Sequence, residues 1–247
     1  MAALRVVIAA VMLAWRANRR PSPLEQFWEQ VGNTSVPASI CAAYVPVYSL
    51  GDRLPDEKTP PKVGDFLLLS DQFVGGGDLL AVSRVSSMLT RMRRPYQVRL
   101  GNSVSFYDLR ASPAILIGYS YTRWREISSQ MRYFIDASRR PLAIMDNGQP
   151  TAWALPNLPR DRRTNEDYAI VSRVFHPDTQ AMLVELAGIT QYGTDAAADL
   201  VTNPDLMAKA LEGAPPDWPR KNLQLVLHVK VIAGSPSAPA VVKSHYW

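Results

Sequence analysis

The chain of 247 residues has little cysteine, histidine or glycine. Its one cysteine, Cys41, excludes an intrachain disulfide framework and a zinc site built from several cysteines. The three histidines share no metal-ligand spacing, so we expect no metal and no other cofactor. The 13 glycines exclude collagen-like and glycine-rich repeats. The sequence also lacks a Walker A lysine and a complete dinucleotide-binding glycine pattern, so neither of the two common nucleotide-binding motifs is present.

The composition is that of a folded protein. Apolar residues make up 47% of the chain and charged residues 20%, so a sizeable core can form and global disorder is excluded. The length is more than most single α/β domains need and less than two domains need. We therefore expect one domain with appendages.

The net charge of +5 is unevenly distributed. The stretch from Arg84 to Arg163 holds 14 arginines, no lysine and five acidic residues. A basic region of this kind suits nucleic acid or an anionic ligand, and it is also typical of a solvated arginine-rich surface. Because no zinc finger, basic zipper or aromatic RNA-binding strand accompanies it, nucleic-acid binding is kept only as an alternative.

The N-terminus holds an apolar run, Val6 to Trp15, with Arg5 before it and a cluster of arginines after it. The run is shorter than the roughly 20 residues that a transmembrane helix needs. We expect an apolar helix over residues 1–20 that tethers the protein to a membrane as the end of a longer span, on a side that the flanking charges leave open. A short interfacial anchor and an ordinary helix packed on the domain are the alternatives.

The remaining chain is predicted to fold as an α/β domain. Residues 21–37 are interpreted as a linker with a short amphipathic helix, and residues 38–247 as a single domain. Strands and helices alternate over the first two-thirds, whereas a predicted hairpin (168–189) and two C-terminal strands (223–232 and 239–245) follow. This order predicts a three-layer, Rossmann-like α/β fold with a mostly parallel sheet and an antiparallel C-terminal extension.

Three turns join a predicted strand to a predicted helix and carry glycine or small polar residues. In such sheets, ligands bind beyond the carboxyl ends of the strands, where helix N-termini offer amide hydrogens to an anion. We therefore expect a small anionic ligand where the turns converge, although the same residues also serve as ordinary caps and turn formers. The predicted ligand-binding residues in these turns are Gly76, Gly77, Asp78, Gly118, Ser120, Thr122, Gly188, Gly193 and Thr194.

Candidate catalytic groups are few. Ser120 lies in a Gly-Tyr-Ser-Tyr-Thr stretch that departs from the nucleophile elbow of hydrolases at its last position. Asp146 and Asp167 stand at the ends of predicted strands, where they could serve as acid and base or simply form turns. A hydrolase that uses Ser120 or an Asp pair at the same crevice is therefore the alternative function, and no residue is assigned as catalytic.

Three stretches together resemble α/β sensory or effector domains of bacterial signalling regulators, which are joined to membrane spans or DNA-binding modules. These stretches run from Ala114 to Trp124, from Asp167 to Arg173 and from Ala187 to Ala197, and cover less than half of the chain. The resemblance implies a non-enzymatic, ligand-sensing role. It adds Asp167 and Arg173 to the candidate ligand-binding residues and supports Gly118, Thr122, Gly188, Gly193 and Thr194.

Overall fold

The computed structural model describes residues 20–32, 36–50, 62–71, 73–100, 104–118 and 125–247. Its helices are α1 (Pro23–Gly32), α2 (Gly76–Arg91), α3 (Phe106–Ala111), α4 (Arg125–Ser128), α5 (Gln191–Thr202) and α6 (Pro204–Ala210). Its strands are β1 (Ala38–Ala42), β2 (Tyr48–Leu50), β3 (Phe66–Leu68), β4 (Tyr96–Leu100), β5 (Ala114–Ile117), β6 (Tyr133–Ile135), β7 (Leu142–Asp146), β8 (Gln149–Leu155), β9 (Glu166–His176), β10 (Ala181–Gly188), β11 (Leu223–Ile232), β12 (Ser235–Pro236) and β13 (Ala240–Tyr246).

The main sheet is mixed, and this corrects the expectation of a mostly parallel, Rossmann-like sheet. Its order over the described residues is β12–β11–β9–β10–β5–β1–β4, with β13 also paired to β11. Strands β4, β1, β5 and β10 are parallel to one another, whereas β9 is antiparallel to both β10 and β11. The tight turn between β9 and β10 makes those two strands antiparallel, and their insertion into the middle of the sheet makes half of it antiparallel.

Two different layers cover the two faces of the sheet. On one face, α1, α2, α5 and α6 pack against alternate residues of the strands, such as Ile40, Ile115 and Leu225. On the other face, the antiparallel sheet β6–β7–β8 packs over β9, β10 and β11, and α3 lies over β1 and β5. One covering layer is therefore helical, whereas the other is largely an antiparallel β-sheet, which also departs from the predicted fold.

The segment predicted as a linker contributes to the core. Helix α1 buries Phe27, Trp28 and Val31, the apolar face that the spacing predicts. The indole Nε1 of Trp28 donates a hydrogen bond to the carbonyl of Val201 in α5 at 2.7 Å. Burial of these side chains makes α1 a structural part of the domain.

Other local predictions have mixed outcomes. The predicted hairpin is confirmed as β9 and β10, and the C-terminal pair as β11 and β13. The spacing of Trp124, Ile127, Met131 and Phe134 in the sequence predicts a helix from Thr122 to Phe134. This prediction is wrong over the described residues, where α4 is one turn and Tyr133 begins strand β6.

The sequence predicts a helix from about Leu79 with Asp78 as its N-cap. In the structure, helix α2 starts after Gly75, so Asp78 is its third residue and not its N-cap.

The predicted membrane anchor is not supported. Among the described residues, no helix combines the length and the apolar character required to cross a bilayer. The predicted helix over residues 1–20 lies, except for Arg20, outside the described residues.

Candidate functional site

The topology opens a crevice beside β1. The chain leaves β1 and returns through α2, on one face, to β4, then continues through α3, on the opposite face, to β5 on the other side of β1. Where connections diverge to opposite faces in this way, the loops separate beyond the carboxyl ends of the strands and leave room for a ligand. The strands β1, β5 and β10 all end at this edge because they are parallel.

A cavity of about 220 Å³ occupies this crevice, and we call it the switch-point cavity. It collects residues that follow β1, β5 and β10, the start of α2, and one residue of the loop between β8 and β9. Its lining consists of Ala43, Val45, Gly75, Asp78, Gly118, Arg162, Gly188, Ile189, Thr190, Gln191 and Thr194. The three turns singled out in the sequence thus meet at one hollow.

The predicted residues divide into those that line the cavity and those that do not. Asp78, Gly118, Gly188 and Thr194 line it, whereas Gly76, Gly77, Gly193 and Asp167 lie beside or behind it. Ser120 and Thr122 lie outside the described residues. Arg173 lies elsewhere in the fold.

Asp78 provides the acidic group of the cavity. Burial raises the pKa of its carboxyl from 3.8 to about 6, and a hydrogen bond from the Thr194 side chain partly opposes this shift. Thr194 in turn accepts a hydrogen bond from the Gly188 amide, with a distance of 3.1 Å from N to Oγ1. The Thr194 hydroxyl therefore joins the end of β10 to the first turn of α2 and orients the Asp78 carboxyl.

Arg162 provides the basic group, and the sequence offered no signal for it. It stands in the loop before β9, with a left-handed backbone (φ 57°), and its Nη1 donates a long hydrogen bond of 3.4 Å to the Ile189 carbonyl. No carboxylate of the described residues pairs with it, so the guanidinium can accept an anionic group in the cavity. The cavity thus combines a carboxyl and a guanidinium with two threonine hydroxyls.

The N-terminus of α5 was expected to bind the anionic group of a ligand. In the structure, the side-chain carboxylate of Asp167 occupies this position. The buried Asp167 carboxylate accepts hydrogen bonds from the Thr190 hydroxyl at 2.6 Å, the Thr190 amide at 3.1 Å and the Gly193 amide at 2.7 Å. Burial raises the pKa of Asp167 to about 6 despite these donors. The Gly118 amide is likewise used, because it bonds to the Leu186 carbonyl at 2.9 Å. These amides are therefore not free for a ligand, which corrects the expectation from the turns.

Several predicted glycines serve packing. A Cβ atom on Gly188 would collide with the backbone of Gly193 and Thr194, and a Cβ atom on Gly77 would collide with the Gln191 carbonyl. A Cβ atom on Gly193 would lie 2.8 Å from the Gly188 Cα. The absence of side chains lets the first turns of α2 and α5 approach each other and the end of β10, and this approach shapes the cavity.

Arg173 is a structural residue. Its guanidinium is fully buried and donates hydrogen bonds to the carbonyls of Trp218, Pro219 and Lys221 at 3.0, 3.2 and 2.5 Å. It also lies over the rings of Phe27 and Trp218. Desolvation lowers the pKa of Arg173 to about 10. It joins β9 to α1 and to the segment before β11, away from the switch-point cavity.

Asp146 and Asp167, the candidate acid and base, each bind different partners and do not form a catalytic pair. Asp146 ends β7 and forms a two-point ion pair with Arg132, at 2.8 and 3.1 Å, which holds its pKa below the ordinary value. Asp167 is occupied by Thr190 and Gly193. The two carboxylates share no hydrogen-bond partner among the described residues.

The arginine-rich stretch does not form a single basic face. Arg84 of α2 pairs with Asp195 at 2.9 Å, on the helical side of the sheet. Arg132 and Arg139 belong to the β6–β7 layer on the opposite side and pair with aspartates. A nucleic-acid surface needs its cations on one side, so this distribution does not favour that alternative.

Comparison of the chain with models of protein families, with characterised proteins and with solved structures finds no match. The assignment of a function therefore depends on the geometry of the site.

Proposed function

We propose that this protein is a ligand-binding sensory domain whose ligand occupies the switch-point cavity. The observation that carries the proposal is that Asp78 and Arg162, from distant parts of the chain, line one hollow at the edge of the sheet where α/β folds bind ligands. The resemblance to bacterial sensory domains supports the same role.

The lining defines the chemistry of the ligand. Arg162 suits a carboxylate or phosphate group, and Asp78 suits a hydroxyl or an ammonium group. The cavity volume of about 220 Å³ lies below the range of about 300–1,000 Å³ that is typical of sites for drug-sized ligands, so the cavity suits a small metabolite better than a nucleotide. The ligand is a small metabolite that carries an anionic group and a hydrogen-bond donor, such as an amino acid or a hydroxy acid.

The proposal is for binding without catalysis. Among the described residues that line the cavity, the reactive groups are the carboxyl of Asp78, the guanidinium of Arg162 and the hydroxyls of two threonines. A partly buried carboxyl with a raised pKa, in the same hollow as a guanidinium that pairs with no carboxylate of the described residues, suits recognition of a polar ligand. The hydrolase alternative with Ser120 involves a residue outside the described part of the chain.

A thermal-shift panel tests the proposal. Amino acids, hydroxy acids, phosphosugars and nucleotides are added in turn, because a ligand that binds only the folded state raises the melting temperature. We expect a response to amino acids or hydroxy acids, and its loss in Asp78→Asn and in Arg162→Gln. The matched control is Asp161→Asn, next to Arg162 but outside the cavity lining, which should respond like the parent protein.

Two results would count against the proposal. One is a folded protein that responds to no compound of the panel. The other is an Asp78→Asn variant that responds as strongly as the parent protein.

A further inference from the structure

A second hollow lies on the other side of Arg162. It has a volume of about 480 Å³, within the range of about 300–1,000 Å³ that is typical of small-molecule sites. Three arginines surround it (Arg140, Arg160 and Arg162), and its lining also includes leucines and prolines of β7, β8 and the loop after β8. We call it the arginine cavity.

None of the three arginines pairs with a carboxylate of the described residues. Arg140 donates hydrogen bonds only to the carbonyls of Ala137 and Arg139, at 2.9 and 2.7 Å. Among the described residues, the Arg162 guanidinium donates a hydrogen bond only to the Ile189 carbonyl, at 3.4 Å. Arg160 makes no ion pair or hydrogen bond with the described part of the chain. Three positive charges at one hollow repel one another, and an anion between them would relieve this repulsion.

The nearby acidic residues are already neutralised by other arginines. Asp136 pairs with Arg139 at 3.1 Å, and Asp161 pairs with Arg163 at 3.6 Å. Each of these pairs is formed by a direct neighbour of a cavity arginine, and the described residues that line the cavity include no acidic residue. The charge of the arginine cavity is therefore uncompensated, whereas that of the flanking sequence is balanced.

The lining has an apolar part, in which buried leucines form the base and the accessible surface is presented by the half-buried Leu158 and the exposed Pro141, Pro156 and Pro159. Leu142 and Leu155 are buried and stand opposite each other in the β7–β8 pair, and the half-buried Leu158 packs against the same cluster. Paired strands hold the buried leucines in place, so the base is formed before any ligand binds. A fully hydrated inorganic anion would gain nothing from such a surface, whereas an organic anion would bury apolar area on it.

We propose that the arginine cavity binds an organic anion with an apolar body, in which a carboxylate, sulfonate or phosphate group meets the guanidinium groups and the body covers Leu158 and the prolines of the lining. This site shares Arg162 with the switch-point cavity, whereas Arg140 and Arg160 line only the arginine cavity. Of the three cavity arginines, the test changes only those two, so its outcome is separate from that of the function proposed for the switch-point cavity. Arginine suits the anionic group because its planar, always charged guanidinium presents several donors.

The test uses anilinonaphthalene sulfonate, a fluorescent probe with an apolar body and one anionic group. The protein variants are Arg140→Gln and Arg160→Gln, with Arg163→Gln as the matched control, since Arg163 is close in sequence and lies outside the cavity lining. All three side chains are exposed, so the variants should keep the parent melting temperature. We expect the first two changes to weaken probe binding about threefold to tenfold each and the control change to have less than about a twofold effect.

Phenylnaphthylamine, a similar ring system without the sulfonate, provides a second arm and should bind all four proteins equally. Octanoate should displace the charged probe at a much lower concentration than acetate, because only octanoate covers the apolar part of the lining. Equal weakening by the control variant, no weakening by Arg140→Gln and Arg160→Gln, or equal displacement by acetate would each overturn the proposal.

Discussion

Replacement of Asp78 by asparagine should make the protein more stable at neutral pH while it removes ligand binding. The side chain keeps its size, and its amide oxygen can still accept the hydrogen bond from Thr194. What changes is the charge, which no longer has to be held in a partly desolvated cavity. A stabilised variant that has lost its ligand response would separate a binding role from a folding role.

The sign and the magnitude follow from the pKa of Asp78, which burial raises from 3.8 to about 6. As the pH rises through this interval, the unfolded chain loses the proton before the folded protein does, so ionisation destabilises the folded state. The penalty is absent below pH 3.8 and complete above about pH 6. The full shift corresponds to about 3 kcal/mol. Partial exposure and the favourable position of a negative charge at the start of α2 reduce the expected gain to about 1–2 kcal/mol.

Urea unfolding of the parent protein and of Asp78→Asn, followed by tryptophan fluorescence from about pH 4 to about pH 8, measures this difference. We expect equal stability at the acidic end and an advantage of the variant that grows to a constant value near neutrality. Other titrating groups are common to both proteins and cancel in the difference. An advantage that does not change with pH, or a variant less stable at neutral pH, would refute the reasoning.

Three further changes have defined outcomes. Asp146→Asn should show the opposite pH dependence to Asp78→Asn, with a loss of stability at neutral pH that disappears in acid, because Arg132 lowers the pKa of Asp146; the same unfolding series checks it. Gly188→Ala should destabilise by about 1–3 kcal/mol, since its Cβ would meet backbone of α5, whereas Gly64→Ala, with open space, should be neutral or slightly stabilising; equal melting temperatures would contradict this. Arg173→Met should cost about 2–4 kcal/mol in urea unfolding by leaving buried carbonyls unpaired; an unchanged midpoint would show that the guanidinium is dispensable.

Local features of the fold could be predicted because they depend on neighbouring residues. The two apolar runs around Pro177 and Asp178 predict a hairpin, and the structure confirms it as β9 and β10. The spacing of Phe27, Trp28 and Val31 predicts the buried face of α1. In both cases, the side-chain period of the element itself identifies the face that must leave water.

The arrangement of the sheet could not be predicted in the same way. A strand with both faces buried has the same apolar character beside a parallel or an antiparallel neighbour. The position of β9 between β10 and β11 therefore could not be inferred from the pattern of apolar residues in the sequence. For the same reason, the segment at Tyr133 was expected to be helical, although it pairs with β7.

The sequence indicated the edge of the sheet at which the cavity lies, but not the contacts that its residues make. The glycine-containing turns identified the edge at which the switch-point cavity lies, because strand-to-helix turns in parallel sheets occur at the carboxyl ends. The role of each residue could not be predicted, because it depends on contacts between distant parts of the chain. Asp167 reaches from the start of β9 to the start of α5, and Arg162 enters the cavity from a loop with no motif.

By itself, the sequence determined where the chain forms strands, hairpins and amphipathic helices over much of its length, since these follow from short-range periodicity and turn residues. Only the tertiary structure decided which strands are neighbours, which amides are already satisfied and which charges remain unpaired. Hydrogen bonds and ion pairs between residues such as Asp167 and Gly193 depend on distances in space, and no property of either residue's neighbours in the chain encodes those distances.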